Sequence, residues 1–382
     1  MKGSRPLRNG VREARVRLGL SQQELARAAG VTRQTIGGIE AGLYQPSVAV
    51  AMRIARVLGA GVEDLFWLED EVPRVEAVMA LPPARPASGR VSLARVGGRW
   101  VAYPLGGERA FRTEVVPVDG LVEEGEEAGG EGRVAVRLVG GDVEDLERGV
   151  VIAGCSPALG LWAREAERRH PGLRVQWLHA NSTQALEMLA KRLVHVAGVH
   201  LRDPATGEYN VSFVRRALPG RAVSLIHLGT WREGLAVWPG NPKGLRGAAD
   251  LARPGVRVVN RERGAGARAL LEEALRAAGV PGETVQGLDR VVFSHQEVAR
   301  EVARGAADAG VVPAAVAAAY ALDFVPLQEA RFDVAIPDEW LTLEPVRQLL
   351  ATLSLRALRR QLELAGGFTT ERTGELVARV VA

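Results

Sequence analysis

The sequence predicts a multidomain protein with an all-α domain over residues 1–66, a small β-rich connector over 67–148 and a two-lobed α/β domain over 149–382. Three observations lead to this prediction. Two short capped segments flank a glycine near the N-terminus, alternating apolar and polar residues flank a glycine pair, and apolar strand-like runs alternate with helical patterns after residue 149. The length of 382 residues, with 47% hydrophobic and 25% charged residues, suits two or three globular domains.

The segment 21–42, SQQELARAAGVTRQTIGGIEAG, has the pattern of two short helices joined by a tight turn. Ser21 and Glu24 have the spacing of a capping box, which satisfies the free amides at a helix start. Gly30 permits the turn without steric cost, and Thr32 is a suitable cap for the second helix. Two such helices with one apolar face predict a helix-turn-helix.

The exposed residues at the start of the second helix predict a DNA-binding surface. Arg33 and Gln34 carry the side chains that make paired hydrogen bonds to guanine and adenine edges in the major groove. The pattern resembles the phage-repressor-like (XRE) family over about the first 66 residues, and this resemblance implies that Gln22 holds a phosphate. A small helical protein-interaction module is the alternative. The predicted DNA-binding residues are Ser21, Gln22, Thr32, Arg33, Gln34, Thr35 and Gly38.

The distribution of charge supports this prediction. Residues 1–66 hold ten Lys/Arg and five Asp/Glu, a net charge of +5, whereas residues 67–132 hold seven and twelve, a net charge of −5. A positive excess on the small first domain is expected of a protein that binds phosphates. One cysteine excludes an internal disulfide framework, and the longest apolar run, 311–322, is about half as long as a membrane span. We therefore expect a cytoplasmic protein without a membrane partner.

The connector is predicted to consist of β-strands. RVSLARVGGRWVAYPL, residues 90–105, alternates apolar and polar positions around Gly97-Gly98 and predicts a β-hairpin. Residues 111–118 and 133–139 are predicted as two further strands, and the proline-rich stretch 81–89 as irregular. The Glu/Gly-rich run 122–132 is predicted to be a solvated loop, with an internal DNA mimic as the alternative.

After residue 149, strands and helices alternate in a way that predicts a mostly parallel sheet with helices on both faces. Ligands of such sheets sit beyond the carboxyl ends of the strands, where helices begin with unpaired amides and a partial positive charge. Four helix starts here are rich in groups that bind anions. The predicted ligand-binding residues are Cys155, Ser156, Asn181, Ser182, Thr183, Arg261, Arg263, Gly264, Ala265, Gly266, Ala267, Arg268 and His295.

Several motifs in this part resemble a periplasmic-binding-protein-like domain associated with molybdate recognition. They are residues 198–201 (GVHL), 203–204 (DP), 206–210 (TGEYN), 260–268 (NRERGAGAR), 307–310 (ADAG) and 366–376 (GGFTTERTGEL). The resemblance covers most of residues 149–378. It implies two α/β lobes of the type II class that close on a small anion such as molybdate or tungstate. A larger anion, or a pterin carrying phosphate, is a further alternative.

No pattern of an enzyme is discernible in the sequence. The six histidines lack metal-ligand spacing, and neither a Ser-His-Asp order nor a phosphate-binding Walker loop is present, so we predict no catalytic residue, no metal and no cofactor. The predicted function is a one-component transcription regulator that binds double-stranded operator DNA as a homodimer and senses a small oxyanion. The alternatives are a DNA-binding protein with a structural C-terminal domain and an enzyme with an appended DNA-binding domain.

Overall fold

The computed structural model describes residues 7–68, 74–81, 89–105, 116–123, 133–139 and 143–381. The chain forms two compact units, Met1–Pro73 and Arg74–Ala382. Among the described residues, no helix is long and apolar enough to cross a membrane.

The first unit contains the five predicted helices. Leu25, Ile36, Ile39 and Ile54 are fully buried at its centre, because each lies on the apolar stripe of a short amphipathic helix. A two-stranded antiparallel sheet that the sequence did not predict joins the two ends of the unit. The elements are β1 Leu7–Asn9, α1 Val11–Arg17, α2 Gln22–Ala29, α3 Arg33–Glu40, α4 Val48–Leu58, α5 Val62–Leu65 and β2 Phe66–Leu68.

The connector folds into a small closed barrel, in which the strands follow the order β3, β5, β4, β6, β7. The hairpin at Gly97-Gly98 is confirmed, and both glycines have the positive φ that a two-residue hairpin turn requires. A strand was predicted at 111–118, and this is wrong for residues 116–118, which do not belong to a strand. Residues 111–115 lie outside the described residues, as do 82–88 and 124–132 of the two predicted loops. The strands are β3 Arg74–Met79, β4 Arg90–Val96, β5 Arg99–Pro104, β6 Gly120–Val122 and β7 Arg133–Leu138.

This barrel shares a hydrophobic core with the α/β domain. Ala94, Val96, Val101 and Tyr103 are buried in the same apolar cluster as the strands that follow the connector. The Tyr103 hydroxyl donates a hydrogen bond of 2.6 Å to the Leu193 carbonyl. The connector is therefore packed as part of the second unit.

The rest of the second unit forms two lobes. A short helix, α6 Val143–Glu147, leads from the barrel into them. The first lobe consists of β8 Gly149–Gly154, α7 Pro157–Arg169, β9 Arg174–His179, α8 Ser182–Ala190, β10 Val196–Val199, α9 Val211–Ala217, α13 Glu344–Ala351, α14 Arg356–Leu364, β16 Phe368–Thr369 and β17 Leu376–Val380. The second lobe consists of β12 Asn260–Arg261, α10 Gly266–Ala277, β13 Val291–Val292, α11 His295–Ala303, β14 Ala309–Pro313 and α12 Ala314–Ala319.

Two long antiparallel strands, β11 Val223–Val237 and β15 Asp323–Pro337, run from one lobe into the other. Leu225 and Leu228 of β11 pack in the first lobe, whereas Leu235 and Val237 pack in the second. The predicted mostly parallel sheet is wrong. Within the described part of the large sheet, β8 pairs in parallel with β9 and β10, and the other strand pairs are antiparallel. Residues 324–327 and 332–336, two separate strands in the prediction, are parts of the single strand β15.

Candidate functional site

The helix-turn-helix is held by the caps that its sequence predicts. The Glu24 amide donates to Ser21 Oγ over 3.2 Å, and the Ser21 amide donates to Glu24 Oε2 over 2.7 Å. Gly30 has φ +64° where α2 ends, and the Thr35 amide donates to Thr32 Oγ1 over 3.1 Å. The hydroxyls of Ser21 and Thr32 thus have structural partners within the motif.

Arg33 and Gln34 are exposed at the first turn of α3, where sequence analysis placed the base-contacting residues. Gln22 donates from Nε2 to Glu40 Oε2 over 2.8 Å, and Arg15 binds the same carboxylate through two nitrogens, at 2.6 and 3.1 Å. Burial acts to raise the pKa of Glu40, but the hydrogen bonds from Arg15 and Gln22 hold it below its ordinary value. This ion pair orients the Gln22 amide beside the start of α2.

Gly38 is buried, unlike Arg33 and Gln34, and its part in DNA binding stays a prediction. Its Cα is buried beneath the Tyr44 ring, where an added Cβ would lie 1.9 Å from Tyr44 Cδ2. Its carbonyl accepts hydrogen bonds from the amides of Leu43 and Tyr44. Gly38 thus packs against the Tyr44 ring, and a side chain at this position would displace that ring.

A cluster of buried polar side chains lies where the two lobes meet, and His200 is at its centre. His200 follows β10 directly, and its Nδ1 is 3.1 Å from Ser182 Oγ and 3.7 Å from Cys155 Sγ. Its Nε2 is 3.4 Å from Glu233 Oε1 on β11. The ring stacks on Phe332 with a centroid distance of 5.7 Å.

The second lobe contributes Arg261 and His295 to this interlobe cluster. Arg261 is 1% exposed, and its Nε and Nη2 donate to the Glu262 carboxylate over 2.8 and 2.9 Å. Its Nη2 also donates to the Phe293 carbonyl. The His295 ring centroid is 6.3 Å from that of His200, with both rings buried. The cluster thus joins neutral imidazoles and a thiol to one buried ion pair.

The lobes are in direct contact beside the cluster. Asn181 caps α8 through Oδ1, while its Nδ2 donates to Glu262 Oε1 over 3.1 Å and to the Arg263 carbonyl over 3.3 Å. Thr183 Oγ1 donates to the Gly264 carbonyl over 3.2 Å. These bonds join the start of α8 in the first lobe to the 262–264 loop of the second, so the two lobes are in contact here.

Several atoms of the cluster are buried without a hydrogen-bond partner among the described residues. They are Arg261 Nη1, Trp231 Nε1, His200 Nε2, Glu233 Oε1 and both ring nitrogens of His295. Buried polar atoms in folded proteins are nearly always paired with protein, water or ligand. Such a concentration of unpaired groups at one place indicates a binding site.

Burial dominates the protonation of these groups. It raises the pKa of Glu233 to about 7 and that of Cys155 to about 12. Burial, with Arg261 as a further cause, lowers the pKa of His200 to about 3 and places that of His295 well below its ordinary value. At neutral pH the imidazoles and the thiol are therefore uncharged.

Most of the predicted ligand-binding residues line this interlobe cluster. Ser156 is buried and caps α7 by accepting from the Ala158 amide over 3.2 Å. Gly264 and Gly266 allow close approach: a Cβ on Gly266 would lie 2.5 Å from His200 Nε2, and one on Gly264 would lie 3.0 Å from Thr183 Cβ. Ala265 is the residue before α10, without a side chain that caps it.

Three predicted ligand-binding residues face away from the cluster. Arg263 is exposed, and only its carbonyl meets the first lobe. Arg268 bonds Glu272 and the Arg261 carbonyl, and Ala267 packs in the core of the second lobe. Their role in ligand binding stays a prediction, and their side-chain directions depend on the tertiary fold rather than on the sequence spacing.

Sequence reasoning missed His200, Trp231 and Glu233. His200 follows strand β10 directly, so the same strand-end rule that indicated Ser182 would have indicated it. Trp231 and Glu233 lie inside the long strand β11, next to the bulge between Glu233 and Gly234. No end-of-strand signal marks them.

Comparison with known proteins identifies both parts of the chain. The profile of the PBP superfamily domain matches residues 163–354, and the helix-turn-helix profile matches residues 11–65. The first match spans just over half of the chain. This protein belongs to the PBP superfamily. Its N-terminal unit is an XRE-type helix-turn-helix domain, as the sequence predicts.

Relatives match each part separately. The uncharacterized protein YvgK of Bacillus subtilis is 36% identical over 184 residues, which cover 48% of this chain and 58% of YvgK. The uncharacterized HTH-type transcriptional regulator YgzD of the same organism is 46% identical over 65 residues, 17% of this chain and 98% of YgzD. Among solved structures, the sulfate-binding protein SubI of Mycobacterium tuberculosis is 16% identical with a TM-score of 0.44, over 58% of this chain and 86% of SubI.

Proposed function

We propose that this protein is a one-component transcriptional regulator that binds operator DNA through α3 and a small oxyanion between the lobes of its PBP domain. The observation that supports the ligand is the buried Arg261 guanidinium, whose Nη1 lacks a partner among the described residues. The Glu262 carboxylate pairs with the other side of this guanidinium, and the remaining N–H at Nη1, next to helix starts, is suited to donate to an anion.

The cluster offers several donors to one anion. Trp231 Nε1 and Arg261 Nη1 supply N–H groups, and Ser156 and Ser182 supply hydroxyls at the starts of α7 and α8. Each helix start adds about half a positive charge. This donor set favours a tetrahedral oxyanion of the molybdate or tungstate class, and a phosphate-bearing pterin is the alternative that the same donors would accept.

A ligand that binds between the lobes can change the conformation of the protein. Asn181 and Thr183 make hydrogen bonds from the first lobe to the 262–264 loop of the second, and an opening of the lobes would break them. A ligand that contacts both lobes binds the closed form more tightly and shifts the population toward it. We propose that this shift, in a cytoplasmic homodimer on two operator half-sites, is the regulatory signal, and that the ligand is bound without being turned over.

Titration of the full chain with molybdate tests the ligand, with tungstate, sulfate, phosphate and a phosphate-bearing pterin as competitors. Trp231 lies in the cluster, so tryptophan fluorescence should change on binding, and isothermal calorimetry should give one site per chain. Arg261→Gln should weaken binding about tenfold or more, because a charge-assisted bond is lost.

The exposed Arg263 is the matched control. Arg263→Gln should bind like the wild type. Equal weakening in both variants would remove Arg261 from the site, and a chain that binds none of these ligands would leave the C-terminal domain with a structural role.

A further inference from the structure

Three metal-ligating side chains of the interlobe cluster lie together. Cys155 Sγ, a ring nitrogen of His200 and a ring nitrogen of His295 are all within 4.8 Å of one another, and all three residues are buried. Cys155 and His200 follow β8 and β10 in the first lobe, whereas His295 begins α11 in the second. We propose that these residues bind one thiophilic divalent transition-metal ion, such as zinc, across the two lobes.

The distances suit such an ion. A tetrahedral zinc ion with bonds of about 2.0 Å to nitrogen and 2.3 Å to sulfur holds these two ligand atoms about 3.5 Å apart. Cys155 Sγ and His200 Nδ1 are 3.7 Å apart. A ring nitrogen of His295, within 4.8 Å of both of these atoms, is the third ligand. Three protein ligands leave a fourth position for water or for an oxygen of an anion.

The surroundings orient the ligands. Glu233 Oε1 lies 3.4 Å from His200 Nε2, and a carboxylate there favours the tautomer whose Nδ1 lone pair points toward Cys155. Without the metal, the Ser182 hydroxyl is that atom's neighbour, at 3.1 Å. Neither ring nitrogen of His295 makes a hydrogen bond of ordinary geometry among the described residues, so a metal bond would give this buried ring a partner.

The local charges also suit a divalent cation. The buried Cys155 thiol is uncharged without a metal and loses its proton when a metal binds, so the thiolate brings one negative charge to the ion. The positive charge of Arg261 is already paired with Glu262 at 2.8 Å. A thiolate with two imidazoles is a ligand set that selects zinc and similar ions over magnesium or calcium. The proposal goes beyond the proposed function, because it depends neither on DNA binding nor on the oxyanion.

Cobalt(II) is the probe that tests the proposal most directly. Cys155 is the only cysteine of the chain, so a thiolate-to-cobalt charge-transfer band has a single source. Full-length protein without a histidine tag, stripped of metal with a chelator, should bind one cobalt ion per chain. It should show that band with the visible bands of tetrahedral cobalt, and zinc should displace the ion.

Variants separate the ligands from the fold. Cys155→Ser and Cys155→Ala should abolish the charge-transfer band, and His295→Gln should weaken cobalt affinity at least tenfold. The control His170→Gln, at a half-buried residue where α7 ends, should leave both unchanged. Circular dichroism of each metal-free variant identifies any that fails to fold, and Cys155→Ala preserves the apolar volume best.

Absence of one tight cobalt site in the wild type, or a charge-transfer band that survives in a folded Cys155 variant, would overturn the proposal. A molybdate titration of the same metal-free protein tests the oxyanion separately.

Discussion

At the scale of single residues, the exposed side chain of Arg33 is the one that the helix-turn-helix presents for base recognition. Arg33→Ala should reduce the affinity for an operator selected from random-sequence DNA by about 1–3 kcal/mol and relax the preference at one base pair. Gel-shift titration of the selected operator and of its single-base variants measures both effects. The control is Arg56→Ala, which removes the same charge at an exposed residue in the last turn of α4. Equal losses of operator affinity in the two variants would mean that Arg33 contributes only its charge.

His195 links stability to pH. It is 3% exposed, and its Nδ1 accepts a 3.1 Å hydrogen bond from the Val151 amide. Burial lowers its pKa from 6.5 to about 4. As the pH falls from 6.5 to 4, the unfolded chain takes up a proton that the folded chain does not, so the free energy of unfolding decreases by about 3 kcal/mol at most.

His195→Gln should remove this part of the pH dependence. The difference in unfolding free energy between wild type and variant should be largest above pH 7 and should shrink on acidification. Urea unfolding at pH 7.5 and pH 5 measures it. The neighbouring core change Val196→Ala removes no titrating group, so it should lower the free energy of unfolding by the same amount at both pH values. If His195→Gln also lowered it equally at both pH values, His195 would not be the source of the pH dependence.

At the scale of elements, the β-barrel connector behaves as part of the PBP domain's core. Val96, Val101 and Tyr103 are buried against the first lobe, and Gln176 of β9 donates to the Leu93 carbonyl of β4 over 2.9 Å. A fragment 149–382 leaves these contacts unmade. Each fully buried apolar side chain stabilises by about 1.5–3 kcal/mol.

A fragment 74–382 should therefore unfold at a clearly higher urea concentration than a fragment 149–382. Tryptophan fluorescence monitors both, because Trp162, Trp177, Trp231, Trp238 and Trp340 are common to the two fragments. Identical midpoints would show that the barrel is an independent domain, as the boundary at 148 predicted from the sequence implies.

At the scale of the whole molecule, the proposed regulator requires coupling between its two binding sites. Closure of the lobes is a two-state change, and a ligand shifts it only by its difference in affinity for the two states. Molybdate should change operator affinity about 5–150-fold, and the operator should change molybdate affinity by the same factor. Calorimetric titration of molybdate, with and without saturating operator, measures this factor. Equal affinities would leave a DNA-binding protein with an uncoupled ligand domain.

Much of this architecture follows from local sequence signals. The caps at Ser21, Thr32, Ser156 and Asn181 are side-chain-to-backbone bonds within three residues, so their spacing alone predicts where each helix begins. The turn at 97–98 follows equally from two adjacent glycines. These features were predicted because the atoms that make them are neighbours in the chain.

The composition of the interlobe cluster depends on contacts between distant residues. Arg261 and Arg263 are two apart in one loop, yet only Arg261 is buried, because the pairing of β12 with β13 turns it inward against Phe293. Glu233 meets His200 because β11 runs between the lobes, a course that a 15-residue strand pattern does not reveal. The sequence by itself determined the elements, their caps and the class of ligand-binding loops. Only the tertiary structure decided which side chains share one buried space, since that depends on strand pairing and lobe closure across tens of residues.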